Sequence, residues 1–227
     1  MAVDPRVAYG LTAQLALRDQ LLGRGAGRVG WKIGFNFPSV QRAFGIAQPI
    51  SGFITTASLV TDGGPHSLAD AGQAMAEPEF AIQIGTEVAG DCSAEEAAGA
   101  IAAIGPAIEV VDIDPSRTEL ADIVATNVFH RGVAFGEPVA GATLEGVTAR
   151  VFFNGEPFDE SDPLEATLDP VAIVRVIAET IAVAGERLQP GDRIIGGSLV
   201  PPPAVVPGDE LALDLGPLGS VVLAFTE

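Results

Sequence analysis

Lysine is nearly missing from this chain: of its twelve basic residues eleven are arginine, and Lys32 is the exception. Cysteine occurs once, as Cys92, so no intramolecular disulfide can form and a reducing cytoplasm is the expected compartment. Histidine occurs twice, at His66 and His130. Positive charge is scarce overall: 12 Lys plus Arg against 30 Asp plus Glu leave a net −18. That balance argues against nucleic acid and anionic membrane surfaces as partners, because both present negative charge. No apolar stretch approaches the length of a bilayer span, and no basic region followed by an apolar core opens the chain, so neither a membrane segment nor a signal peptide is expected. Aromatic residues make up only 6%, whereas 27 Gly and 17 Pro predict many short strands and turns.

The 227 residues suffice for one substantial core, and no linker or periodic repeat divides them, so a single domain over 1–227 is expected. Leucines at helical spacing predict a helix over Val7–Leu22, inside a helical N-terminal segment spanning 1–28. Trp31–Phe35 alternates like a strand, and Pro38–Phe44 is a helical turn closed by Gly45. Glu77–Gly85 reads as an extended run whose Pro78 points to an edge strand or a bulge. Ser93-Ala94-Glu95-Glu96 is a capping box for a helix expected to reach Ile104 and stop at Gly105-Pro106, with a short strand over Ala107–Val111 behind it. Strands are expected over Phe129–Phe135 and Val147–Phe153, with a hairpin turn at Asn154-Gly155. A second helix starts at Asp169-Pro170 and runs to Ala184. Two Pro-Gly-Asp turns then precede strands over Arg193–Leu199 and Glu210–Leu215, and Ser220–Phe225 adds another. The sum is a β-rich α+β fold.

Lys32 sits in Gly30-Trp31-Lys32-Ile33-Gly34, an apolar segment with glycines that let backbone approach closely. A compact ammonium can transfer a proton once desolvated, which a guanidinium cannot. Lys32 is therefore a site candidate, although a chance surface lysine would look the same in isolation. Glu77 and Glu79 are two apart in extended chain and share a face. Glu109 interrupts the apolar run Pro106–Val111, where a lone carboxylate needs a partner. Together these three suit a hard divalent cation held through oxygen, Mg2+ or Mn2+. A solvated Glu-x-Glu face, and a Glu109 paired with a buried arginine, are the competing explanations. His66 reads as a solvated loop residue, Cys92 as an inert thiol, and Asp159–Asp162 as a solvated acidic loop.

Several segments, in order, resemble the fumarylacetoacetase-fold superfamily, and within it the 2-keto-4-pentenoate hydratase and 4-oxalocrotonate decarboxylase branch. They are Gly30–Phe35, Gly45–Gly52, Ala76–Ala81, Gly105–Asp112, Asp122–Asn127, Gly191-Asp192 through Gly197–Leu199, Pro207–Asp209 and Gly219–Val221. The resemblance implies a mixed β-sandwich roll, Glu77, Glu79 and Glu109 around a divalent metal, and Lys32 as the catalytic cation. It places Ser198 beside the substrate carboxylate and His130 and Arg131 in a segment facing the site, His130 as an acid or base and Arg131 steering a distal carboxylate. The implied substrate is a short 2-oxo or 2-hydroxydienoic acid of the kind met in aromatic catabolism, turned over through a metal-stabilised enolate by a homo-oligomer. Hydration, decarboxylation and acylpyruvate C–C hydrolysis are all compatible with that chemistry, as is a non-catalytic partner subunit. Three features depart from the pattern. Ile50 stands where hydratases of this branch often carry aspartate, Pro78 separates the glutamates, and the helical region before Lys32 is short.

Overall fold

The computed structural model describes residues 3–167 and 169–227. In chain order the elements are α1 (Pro5–Gly23), β1 (Arg28–Gly34), α2 (Pro38–Phe44), β2 (Ile50–Thr55), β3 (Leu59–Val60), β4 (Pro65–Ser67) and β5 (Ala74–Ile84). There follow α3 (Ala94–Ala100), β6 (Ile101–Asp112), α4 (Leu120–Ala125), β7 (His130–Phe135), β8 (Val139–Ala140), β9 (Ala149–Phe153) and β10 (Glu156–Ser161). The chain closes with α5 (Pro163–Ala166), α6 (Pro170–Ala182), β11 (Arg193–Ile195), β12 (Glu210–Asp214) and β13 (Ser220–Thr226). The larger sheet runs β2-β1-β11-β5-β6-β7-β3, with β8 added beside β6; the smaller runs β10-β9-β12-β13-β4. Pairings are mostly antiparallel, but β1 with β11, β3 with β7 and β4 with β13 are parallel. Both sheets are mixed or bear a mixed edge, and the α+β class expected from sequence is what forms.

The core lies where the sheets face each other: Leu211, Leu213 and Phe225 of the smaller sheet join Ile82, Ile104 and Ile108 of the larger in one buried cluster. The N-terminal helix starts at Pro5 because the Asp4 side chain accepts from Arg6 N at 2.8 Å and proline needs no bond at the first position. It buries Val7, Leu11 and Leu15, and its buried Gln14 donates to the carbonyls of Ser51 and Val124 at 2.9 and 2.7 Å. Those two bonds lock α1 onto β2 and α4. The helical segment expected over 1–28 thus yields to strand at Arg28, and its first two positions lie outside the described residues.

Local signals misread five places. The Ser93 capping box is present, but α3 stops at Ala100 and the chain becomes β6 through Gly105-Pro106. Eleven residues of β5 hold it in register, and burial on both faces gives a continuous apolar run with no alternation to read. Pro106 fits because it faces Phe80 while its carbonyl turns the other way, accepting from Gly136 N at 2.9 Å; its missing N–H lies on that outer side. Pro78 is likewise inside the sheet, on a strand flanked by β11 and β6, and not at an edge. The irregularity sits beside it instead: Gly196 N donates to Phe80 O and Leu199 N to Pro78 O, three residues set against two. For that reason β11 ends at Ile195 and does not reach Leu199.

His66 is no solvated loop residue: it lies in β4, half-buried, with its ring against Gly132, where an added Cβ would come within 2.7 Å. Burial, with Arg131 and His130 adding, pushes its pKa down. Asp159–Ser161 belong to β10, an exposed edge strand, while Asp162 caps α5 through Leu164 N at 2.9 Å. Cys92 is buried, and burial raises its thiol pKa, in keeping with an inert group.

Candidate metal centre and active site

Antiparallel pairing of β5 with β6 sets Glu77 opposite Glu109, and the two-residue period brings Glu79 to the same face. One carboxylate oxygen from each of the three lies within 4.8 Å of the others. Glu79 and Glu109 are 0% exposed; Glu77 is half-buried. Each fully buried carboxylate has one oxygen engaged and one without a partner. Glu79 Oε2 accepts from Gly197 N at 2.7 Å, leaving Oε1 bare. Glu109 Oε1 meets Lys32 Nζ and His130 Nδ1, leaving Oε2 bare. Buried, unpartnered carboxylate oxygens are costly, and two beside a third acid are a cradle for a cation.

Electrostatics say the same. Burial pushes Glu77 up to about 7, and the Glu109 charge adds to it. Glu79 is raised well above its ordinary value by burial, then by Glu109 and Glu77. Burial also works to raise Glu109, but the Lys32 charge and the His130 contact outweigh it and hold its pKa low. Were all three glutamates ionised, one ammonium against them would leave two negative charges uncompensated, which one divalent cation would cancel. The donors are all carboxylate oxygens, which suits Mg2+, Mn2+ or Ca2+ better than a thiophilic ion.

Lys32 reaches the cluster from β1 and is 1% exposed. It pairs with Glu109 and donates to Val128 O at 3.1 Å, so one of its three ammonium donors is left over. Its stem needs the glycine at position 52 on β2: a Cβ there would lie 2.8 Å from Lys32 Cγ and from Asn127 Oδ1. The Val128 carbonyl is aimed by three consecutive left-handed residues, Asn127, Val128 and Phe129, with φ of 61°, 53° and 62°. Such a turn is unfavourable for L-residues, by roughly 1–2 kcal/mol each. Asn127 holds it, accepting from Phe53 N at 2.8 Å and donating to Phe53 O at 3.0 Å.

The other expected site residues divide. Ser198 is buried next to the Gly197 that serves Glu79, and its hydroxyl donates to Val200 O at 2.7 Å. His130 is at the carboxylates, with Nε2 2.8 Å from Ser58 Oγ. Arg131 is not brought there: it donates to Ala69 O and lies 3.6 Å from Asp112 Oδ2. Ser58, Asn127 and the Gly197 amide were not picked out from sequence. Asn127 carried a signal, since asparagine tolerates the left-handed region; Ser58 and a backbone N–H carried none. A cleft of 550 Å³, walled by Asn36, Gln41, Gln48, Pro49 and Arg175, adjoins this region through Asn36, whose amide donates to Ser198 O at 3.4 Å.

No family model matches the chain. Among curated proteins it is 27% identical over 208 residues to a 4-oxalocrotonate decarboxylase from Pseudomonas sp, covering 89% of this chain and 80% of that one. It is 29% identical over 208 residues to a 2-hydroxyhexa-2,4-dienoate hydratase from Comamonas testosteroni (88% and 78% covered). Against a 2-keto-4-pentenoate hydratase from Burkholderia vietnamiensis the identity is 28% over 234 residues (99% and 87%). Among solved structures, 4-oxalocrotonate decarboxylase from Pseudomonas putida G7, complexed with magnesium and adipate, superposes with TM-score 0.89 at 24% identity over 95% of this chain and 84% of that one. Fumarylpyruvate hydrolase from Pseudomonas aeruginosa, in complex with Mn2+ and pyruvate, gives 0.71 at 17% identity (88% and 90%). These likenesses establish the fumarylacetoacetase fold. Its sequence relatives then narrow the fold to one branch: the chain is a homologue of the 2-keto-4-pentenoate hydratases and 4-oxalocrotonate decarboxylases.

Proposed function

We propose that this chain is a divalent-metal-dependent lyase that hydrates a short 2-hydroxydienoic acid, with Glu77, Glu79 and Glu109 as metal ligands and Lys32 as proton donor. The observation that carries the reading is the meeting of three buried or half-buried carboxylates with the chain's single lysine. Relatives named as hydratases and decarboxylases support it. Mg2+ or Mn2+ is the proposed ion. No helix among the described residues is long and apolar enough to cross a membrane, and a small acid is the proposed partner, met by a homo-oligomer in the cytoplasm.

A bound divalent cation would supply positive charge to the C1 carboxylate and C2 oxygen of the acid, easing the build-up of negative charge at C2. The protein's own part is proton placement. With two of its donors fixed on Glu109 and Val128 O, Lys32 Nζ holds its remaining proton in one direction, toward carbon C3 or C5 of the bound acid. The buried surroundings of Nζ keep bulk water from replacing it as donor. Ser198 and Gly197 border the carboxylate end.

Decarboxylation is the second reading, favoured by Ile50, which is 0% exposed and offers no acid to the site from β2. Loss of carbon dioxide from the distal carboxyl of an unsaturated 2-oxo diacid sends the bonding electron pair through the conjugated carbons to the C2 oxygen, giving the same enolate charge and needing the same proton. Incubating the Mg2+-loaded protein with 2-hydroxypenta-2,4-dienoate and, separately, with 4-oxalocrotonate separates the two. Formation of a 4-hydroxy-2-oxo acid supports hydration, and release of carbon dioxide supports decarboxylation. Neither product, with either ion, would end the enzymatic reading.

A further inference from the structure

His130 does not present a free nitrogen to a substrate. Its side chain is 3% exposed, Nδ1 lies 2.6 Å from Glu109 Oε1, and Nε2 lies 2.8 Å from Ser58 Oγ. Ser58 is itself tied down, its hydroxyl lying 3.1 Å from Thr55 O at the end of β2. We propose that His130 is a positioning residue for Glu109, oriented by Ser58, and that it fixes the plane of the carboxylate so that its free oxygen stays turned toward the metal. This rests on the metal-centre reading above.

The last torsion of a glutamate is broad, so a single donor, Lys32, would leave the Glu109 carboxylate free to swing about it. A second donor on the same oxygen, from another direction, removes that freedom. Oε1 takes both Lys32 Nζ and His130 Nδ1, Oε2 is left buried and bare, and one Glu109 oxygen lies within 4.8 Å of one from each of Glu77 and Glu79. Because an ionised carboxylate oxygen only accepts, Nδ1 carries its proton at this contact. Ser58 Oγ occupies the far nitrogen and stops the ring from turning over. The backbone fixes the ring's root, as His130 N donates to Asn127 O at 3.0 Å directly after the left-handed turn. Outer partners of this kind characteristically set ligand orientation and affinity at metal sites.

The test is Mn2+ titration calorimetry on chelator-stripped wild type and on His130→Ala, His130→Asn, Ser58→Ala and Glu109→Gln, with thermal melts to confirm folding. His130→Ala should weaken Mn2+ about 10- to 100-fold. His130→Asn, whose amide nitrogen can take the place of Nδ1, should recover most of that loss. Ser58→Ala should weaken binding several-fold, and the ring 15N shifts should change as Nε2 loses its partner. A folded His130→Ala that binds Mn2+ within two-fold of wild type overturns the proposal. If His130→Ala does not fold, Ser58→Ala decides: unchanged affinity with unchanged ring shifts overturns it. Glu109→Gln separates this failure from that of the metal-centre reading. Should Glu109→Gln bind as wild type does, the metal centre itself is wrong; should it lose binding while the His130 variants keep it, only the positioning role falls.

Discussion

Glu77 and Glu109 stand directly opposite each other across the β5–β6 pair, so strand register alone forces two like charges together. Like charges directly opposite destabilise a sheet pair unless something lies between them. The pH behaviour of the protein should reveal that tension.

Glu77 has its pKa raised to about 7 by burial, then by Glu109, and Glu79 is raised well above its ordinary value by burial. An acid whose folded pKa exceeds its unfolded value binds more protons when folded, so stability falls as pH climbs between the two values. His66, lowered by burial, acts in the opposite sense below its ordinary 6.5, and the favourable Glu109 interaction is lost only below its ordinary 4.5. The clean window is therefore pH 6.5 to 8. Metal-stripped protein should melt at lower temperature as pH rises through it, and Mg2+ should raise the melting temperature more at pH 8 than at pH 6.5. A stripped protein whose melting temperature is flat or rises there contradicts the site's electrostatics.

Lys32→Ala should reduce turnover by at least about 10²-fold, the lower range for removing a general acid. Mn2+ binding should persist, since Lys32 is not a proposed ligand. Steady-state assay and calorimetry on one preparation check both halves; near-normal turnover would remove Lys32 from the chemistry.

Gly52→Ala adds a methyl 2.8 Å from Lys32 Cγ and Asn127 Oδ1, with buried strand around it. Overpacking of this kind costs about 1–3 kcal/mol. Because the crowded group is the lysine stem, kcat should fall more than stability explains. Denaturant titration and kinetics at a temperature where the variant stays folded separate the two effects.

Asn127→Ala strips both side-chain bonds from the buried backbone of Phe53 and takes the favourable residue out of the left-handed turn. About 2–4 kcal/mol of destabilisation is expected, from two unmet buried groups and the backbone strain. A loss below about 0.5 kcal/mol in urea titration would show that the turn stands without the clamp.

Much of this site was legible before any coordinates. A lone lysine among arginines, an acidic pair at strand period and a carboxylate inside an apolar run each broke a local pattern, and polar residues in apolar context are informative because burying them is costly. The helix start at Ser93 was equally plain. Its end was not, since Ala-rich sequence up to Ile104 suits either state and pairing with β5 decides it. Pro78 misled for the same reason: an unpaired position inside a sheet depends on where the neighbouring strand stops, which no local window contains. Arg131, adjacent to His130, leaves in another direction to meet Asp112 and Ala69, as strand alternation sends neighbours to opposite faces. Ser58 and the Gly197 amide join the carboxylates only through tertiary structure.

The most direct measurement is anomalous scattering from crystals grown with Mn2+ and oxalate. The expected result is one peak bounded by carboxylate oxygens of Glu77, Glu79 and Glu109, at roughly 2.0–2.2 Å for a small octahedral ion, with oxalate facing Lys32 Nζ. A peak elsewhere, or none while the three acids turn apart toward solvent, would contradict the account.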